Sequence, residues 1–169
     1  MLPYPAPAMR RQYDRLIENL TGQIVRLGHI LGQRLHCRPG CADCCQPFSV
    51  FALEAAVIAG EARGVILSPA PGVCAFLQDG LCRIYPFRPL ICRSQGLPLA
   101  YVGDADEERQ CLEVSACPIN FPADTEFAME ELLFLDEANQ RLAALNILYC
   151  RDNRLDAGRR IPLARIFPR

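Results

Sequence analysis

The stretch HCRPGCADCC, residues 36–45, carries Cys37, Cys41, Cys44 and Cys45, four cysteines within nine residues. CAFLQDGLCRIYPFRPLICR, residues 74–93, adds Cys74, Cys82 and Cys92. Thiolates are soft donors that favour zinc, cuprous copper or iron–sulfur clusters over magnesium or calcium, so sulfur at this density points to a metal. Two residues separate Cys41 from Cys44, the spacing of a zinc knuckle. Adjacent residues such as Cys44 and Cys45 point in different directions. They therefore serve different metals, or one is a ligand and the other a packed or reactive thiol. A single zinc takes four ligands, whereas the seven cysteines through Cys92, with Cys111 or Cys117, suffice for two centres. Cys111 and Cys117 flank LEVSA and either complete a metal site or are buried thiols. The candidate ligands are thus Cys37, Cys41, Cys44, Cys45, Cys74, Cys82, Cys92, Cys111 and Cys117. Zinc or iron, the latter including a [4Fe-4S] cluster, is the expected bound species.

The rest of the composition sets the context for these thiols. A chain of 169 residues, 51% hydrophobic, is long enough for one domain with a real core. A net charge of -1 and a pI near 6.1 give no global attraction to nucleic acid or to an anionic membrane. The start MLPYPAPAMRRQYD is broken by Pro3, Pro5 and Pro7 and carries its first positive charges after the apolar part, unlike a secretory signal. The longest uncharged run, Gly64 to Gln78, falls short of the roughly 20 apolar residues that span a bilayer. A cytoplasmic protein is expected, with a metal ion as partner and neither nucleic acid nor membrane. In a reducing compartment ten cysteines fit metal binding or redox chemistry better than five disulfides.

Outward from the cluster, residues 1–8 read as a proline-rich, loosely held lead-in and residues 9–169 as one cysteine-cluster domain. Tyr13, Leu16, Ile17, Leu20, Ile24, Leu27, Leu31 and Leu35 recur at three- and four-residue steps, which predicts a long amphipathic helix from Met9 to Leu35. Arg34 and His36 then fall at its C-terminal end, where positive charge suits the dipole, and this reading of His36 outweighs ligation. His29 lies off the apolar arc and should be solvated. A second helix is expected from Leu53 to Arg63, with Glu54 and Glu61 as surface charges and Gly64 as its stop.

Asp79-Gly80 favours a two-residue turn and predicts a hairpin that sets Cys74 and Cys82 on opposed strands. Pro86 and Pro89 stiffen the approach to Cys92, and Arg88 and Arg93 lie close enough in sequence to offset thiolate charge. Ser94 to Asn120 reads as irregular, with Asp104–Glu108 a solvated loop. Asp124 is a suitable N-cap for a third helix over Thr125–Arg151, with the stripe Phe134, Leu135, Ala138, Leu142, Leu145 and Tyr149 and with Cys150 as a buried residue near its end. The tail should dock through Ile161, Leu163, Ile166 and Phe167. The fold class is mainly α with a small β-hairpin, a single compact metal-stapled α+β domain.

Taken together, C-x3-C-x2-C-C at Cys37–Cys45, Cys74, Gly80-Leu-Cys82-Arg-Ile-Tyr85 and Arg88-Pro89-Leu-Ile-Cys92-Arg93 resemble the bacterial YkgJ-type cysteine-cluster proteins. Cys117-Pro-Ile-Asn120-Phe121 and the late leucine-rich helix resemble one branch of that family. The resemblance covers roughly residues 35 to 150 and implies a zinc- or iron-chelating domain. The first spacing is three residues where the family often has two, which sets Cys37 apart. Flagellin lysine N-methylases carry a similar cluster, which implies as an alternative an iron–sulfur, S-adenosylmethionine-linked protein-modifying enzyme. A further alternative is a zinc-stabilised structural or interaction module. C-x3-C-x2-C also matches the radical S-adenosylmethionine signature, but Asp43 stands where an aromatic residue commonly precedes the last cysteine. Repeated strand-helix units are lacking as well. Nor does the chain show a G-x-G-x-x-G pattern, so family likeness alone does not carry an activity.

Overall fold

The computed structural model describes residues 2–68, 70–106 and 109–167, with side chains described outside 104–111. Its fold is mixed α+β, four α-helices with small sheets. Helix α1, Pro7–Leu31, starts with proline in its first turn, where the missing N–H costs no intrahelical bond. It buries Tyr13, Leu16, Leu20, Leu27 and Leu31, with Ile17, Ile24 and Leu35 packed at the margin of the same core. The helix stops before Leu35 because Gly32 takes a φ of 52° and leads into a 3-10 turn over Gly32–Arg34. His29 and His36 are both exposed.

The lead-in is held more firmly than its prolines suggest. Pro5 is buried, the Tyr149 hydroxyl donates to the Pro3 carbonyl at 2.6 Å, and Tyr4 lies so close over Gly60 that no Cβ would fit there. Tyr4 and Arg10 both bond Glu61, which is therefore an ion-pair partner and not a free surface charge.

Helix α2, Ala52–Glu61, ends two residues earlier than expected and is buried nearly all round by small and branched residues. Glu54 overturns its reading as a surface charge, since it is only 3% exposed. One carboxylate oxygen accepts the N–H of Phe51 at 3.2 Å, satisfying an otherwise orphaned donor at the start of α2. The other accepts the N–H of Leu90 at 2.9 Å, thirty-six residues away. Burial pushes the Glu54 carboxyl up from its ordinary value, while the Leu90 and Phe51 donors and then Arg160 and Arg93 pull it down. Asn146 works similarly from the last helix: it accepts from Leu53 N–H at 3.1 Å and donates to the Ala157 carbonyl at 3.2 Å.

The segment Ser94–Asn120, expected to be irregular, instead contains the longest strands. Strands β4, Leu99–Asp106, and β5, Arg109–Ser115, pair antiparallel, with Leu99 opposite Ser115 and Val102 opposite Leu112. Their glycine, charges and small residues mask the alternation that marks a strand in sequence. Asp104–Asp106 belong to β4, and the rest of the expected loop lies outside the described residues. Strand β6, Leu133–Phe134, adds parallel to β4 at Leu99 and Ala100. That pairing displaces the expected third helix. Asp124 caps nothing, a 3-10 turn occupies Met129–Glu131, and helix α4 runs only over Asp136–Asn153. Leu142 and Tyr149 are buried on it, while Phe134 sits on β6 and is 39% exposed. Arg154, in the left-handed region at φ 56°, ends α4.

Two apolar cores result. The first joins α1, α2 and α4 with Leu90, Leu97, Leu99, Phe121 and Leu133. The second lies on the other side of α2, among Val50, Ile58, Phe76, Ile84, Leu163 and Ile166. The tail docks there as expected: β7, Ile161–Pro162, pairs antiparallel with β1, Ser49–Val50, and Phe167 stands edge-on to Phe76 at 6.0 Å. Among the described residues no helix is long and apolar enough to cross a membrane.

Glu54→Gln tests the buried carboxylate, because an amide oxygen can serve only one of the two backbone donors. Urea unfolding should show a loss of about 1–3 kcal/mol. A carboxyl whose pKa is raised by folding contributes most below its unfolded value, and that contribution is lost as pH rises through the folded value. The deficit of Glu54→Gln relative to the parent should therefore be largest in acid and narrow as pH rises.

Candidate metal centre

The loop that carries the first cysteines is a succession of tight turns. Cys41 N–H bonds the Arg38 carbonyl at 2.9 Å, Cys45 N–H bonds Ala42 at 2.8 Å, and Phe48 N–H bonds Gln46 at 2.8 Å. Gly40, at φ 93°, lets the chain reverse after Pro39. Its Cα also faces Gly80, where an added Cβ would lie 3.5 Å away, so the hairpin tip and the cysteine loop meet backbone to backbone. Cys74 N–H donates to the Cys45 carbonyl at 2.9 Å and ties the second cysteine segment to the first.

The hairpin has the expected turn: Asp79 and Gly80 have φ of 52° and 72°. Its strands, β2 over Leu77–Gln78 and β3 over Leu81–Cys82, are shorter than expected. Cys82 is opposite Leu77, and Cys74 is not on a strand but one turn before β2, where its carbonyl accepts Leu77 N–H at 3.0 Å. Cys92 sits in the short helix α3, Leu90–Arg93, whose first N–H is the one held by Glu54.

From these segments Cys45, Cys74, Cys82 and Cys92 come together. Cys74 is buried in the second core, and the other three pack against that core. Burial first, then the neighbouring Cys74 and Cys82, pushes the Cys92 thiol up to about 12, with Arg88 opposing and Cys45 adding. Cys45 is pushed up to about 11 by burial, then by Cys44, Cys82 and Cys74. Cys82 is raised by burial, opposed by a bond to Ile84 and by Arg88. Arg88 is thus the cation that faces these sulfurs. Its guanidinium lies 3.6 Å from the Tyr85 ring centroid, and its Nε donates to the Tyr85 carbonyl at 3.2 Å. Arg93 has a different job, donating to the Arg88 and Pro86 carbonyls at 2.8 and 2.7 Å and so holding the loop.

Cys37, Cys41, Cys44 and Cys117 form the other gathering. The Cys44 thiol is raised by burial, with its own backbone bond opposing and Cys37, Cys41 and Cys117 adding. Cys37, the most exposed, accepts from Asn120 Nδ2 at 3.3 Å and lies against Gly96, where a Cβ would come within 2.6 Å of its sulfur. Asn120, 6% exposed, also accepts His36 N–H at 2.9 Å and donates to the Gly96 carbonyl at 2.7 Å. The Cys117 carbonyl accepts the N–H groups of Asn120 and Phe121 at 3.0 and 2.8 Å. Cys44, Gly96 and Cys117 share the wall of a cleft of about 260 Å³.

Cys44 lies near Cys37, Cys41 and Cys117, and Cys45 lies near Cys74 and Cys82 while also remaining within reach of the Cys44 side chain. Cys41 and Cys44 do not share a group with Cys82 and Cys92. His36 is in neither, the Cys111 side chain lies outside the described residues, and Cys150 is buried in the first core beside Asn146. Sequence reasoning missed the uses of Asn120, Gly96 and Glu54; the only signal for Asn120 is its place three residues after Cys117.

Among the described residues no three His, Cys, Asp or Glu side chains stand close enough to hold a metal ion as they are. The donor chemistry nonetheless fits one. Cysteine sulfurs are the donors of structural zinc and of iron–sulfur clusters, and they bind as thiolates, so a metal would displace their protons. A metal held by either group would require its sulfurs to move closer together.

No curated protein and no solved structure shows significant similarity to the chain. Residues 36–118 match the family model CxxCxxCC, described as "putative zinc- or iron-chelating domain". That match covers a little under half of the chain and contains every cysteine of both groups.

Proposed function

We propose that the protein chelates zinc or iron at two thiolate centres, one formed by Cys45, Cys74, Cys82 and Cys92 and the other by Cys37, Cys41, Cys44 and Cys117. The observation that carries this reading is the packing of Cys45, Cys82 and Cys92 against the core that buries Cys74, together with the ties of Cys37 and Cys117 to Asn120. In this reading residues 9–169 are one domain stapled by metal, with residues 1–8 docked onto it. A reducing, cytoplasmic setting suits it, since free thiols must persist until metal arrives.

Four thiolates on a divalent ion leave about two excess negative charges, which must be offset by cations or hydrogen-bond donors nearby. Arg88 serves the buried centre in this way, and the Asn120 amide serves Cys37 through a neutral hydrogen bond. Zinc would supply a structural or Lewis-acid centre, whereas an iron–sulfur cluster would supply one-electron chemistry.

Protein purified under anaerobic, reducing conditions should contain about two zinc ions per chain, or iron with inorganic sulfide and a brown colour. Elemental analysis reads this directly. Folded, metal-free protein that cannot be loaded would refute chelation.

Serine replacement separates ligands from bystanders. Cys92→Ser and Cys74→Ser should each lower metal content and depress the melting temperature, because metal binding and folding are coupled here. Cys150→Ser should leave metal content unchanged. Loss of metal in Cys150→Ser with retention in Cys92→Ser would show that the ligand assignment is wrong.

A further inference from the structure

A second cavity, of about 530 Å³, opens where α2, α3, α4 and β4 meet, and no cysteine lines it. Its floor is apolar: Leu90, Leu99, Leu135 and Leu142 line it, and each is buried. The two buried polar side chains in that floor already have partners. Glu54 accepts the Phe51 and Leu90 N–H groups, and the Ser94 hydroxyl donates to the Ile91 carbonyl at 3.2 Å. A floor whose polar groups are satisfied matches an apolar occupant, because it offers nothing to a group that would give up hydrogen bonds to water.

The rim supplies the charge. Arg160 is exposed and, among the described residues, is the only cationic side chain that lines the cavity. Its guanidinium lies 3.5 Å from the Phe51 ring centroid, a contact that holds the group in place and leaves N–H donors at its edge. Among the described residues no carboxylate pairs with it. Glu54 feels Arg160 only through its field, since both Glu54 oxygens are held by backbone donors. The exposed amides of Asn139 and Gln140 add neutral donors on the α4 side.

We propose that this cavity binds a small apolar monocarboxylate, with the carboxylate on Arg160 and the hydrocarbon body on the leucine floor. The edge of a guanidinium matches a carboxylate through two parallel N–H···O bonds. A single cation beside the Glu54 carboxyl balances one negative charge, not the two of a phosphate monoester. The body of the ligand gains by leaving water for the floor, and the volume lies within the range of small-molecule sites. The site uses neither sulfur nor metal, so it stands independently of the chelation reading.

The test titrates the full-length protein with octanoate by isothermal calorimetry, alongside octylamine and octyl phosphate, which keep the chain and change the head group. One octanoate per chain is expected, bound at least about tenfold more tightly than either of the others. Arg160→Gln should weaken octanoate at least about tenfold with the melting temperature held, because Arg160 is exposed. Arg160→Lys, which keeps the charge and loses the fork, should fall between the two. Ala143→Phe, at a half-buried position in the α4 wall, should fill the cavity and remove octanoate binding while the circular dichroism spectrum stays that of the parent. Absence of octanoate binding, equal binding of octanoate and octylamine, or octanoate binding that Arg160→Gln leaves unchanged would overturn the proposal. Tighter binding of octyl phosphate than of octanoate would overturn the assignment of a carboxylate.

Discussion

Thiolates gathered from distant parts of a chain repel one another, and burial strengthens the repulsion because the interior screens charge poorly. The values of Cys45 and Cys92 are raised by burial first and then by the neighbouring sulfurs, and Arg88 opposes the shift of Cys92 without reversing it. The rest of the fold can be understood as scaffolding that tolerates this arrangement. Arg88 faces the buried group, and backbone donors reach Cys74 and Cys82, yet neither removes the repulsion. A metal ion would exchange the protons for a single shared charge, and this turns an electrostatic liability into a cross-link between residues 37–45, 74–92 and 117.

The scaffold positions these segments through buried polar side chains more than through long regular elements. Glu54 pins the start of α3, two residues before Cys92, to the start of α2. Asn120 ties His36, Cys37 and Gly96 around Cys117. Asn146 fastens α2 to α4 and to the turn after it. Each side chain satisfies backbone groups that would otherwise be buried without a partner, so each also selects one arrangement of the loops. The short helix and strands around the sulfurs need such ties because they are too short to hold themselves.

Sequence reading served best where a single local rule dominates. The three- and four-residue spacing from Tyr13 to Leu31 marks a helix, and Asp79-Gly80 marks a turn with both residues at positive φ. The adjacency of Cys44 and Cys45 left two uses open, ligands of different metals or one ligand beside one packed or reactive thiol. Sequence reading failed where tertiary pairing decides. Nothing local in Leu99–Ser115 announces a hairpin, and the residues after Asp124 have helical composition but are claimed by β4 through Leu133 and Phe134. Glu54 could not be recognised as buried, since its partners at Phe51 and Leu90 are backbone groups that leave no trace in residue type. The grouping of Cys117 with Cys37 is non-local for the same reason: it runs through the side chain of Asn120.

The division of eight cysteines into two quartets is the claim on which the account stands, and cadmium NMR of protein reconstituted with cadmium addresses it most directly. The account predicts two resonances of equal intensity, both at the shifts of all-sulfur coordination. One resonance, or shifts that require nitrogen or oxygen ligands, would contradict it.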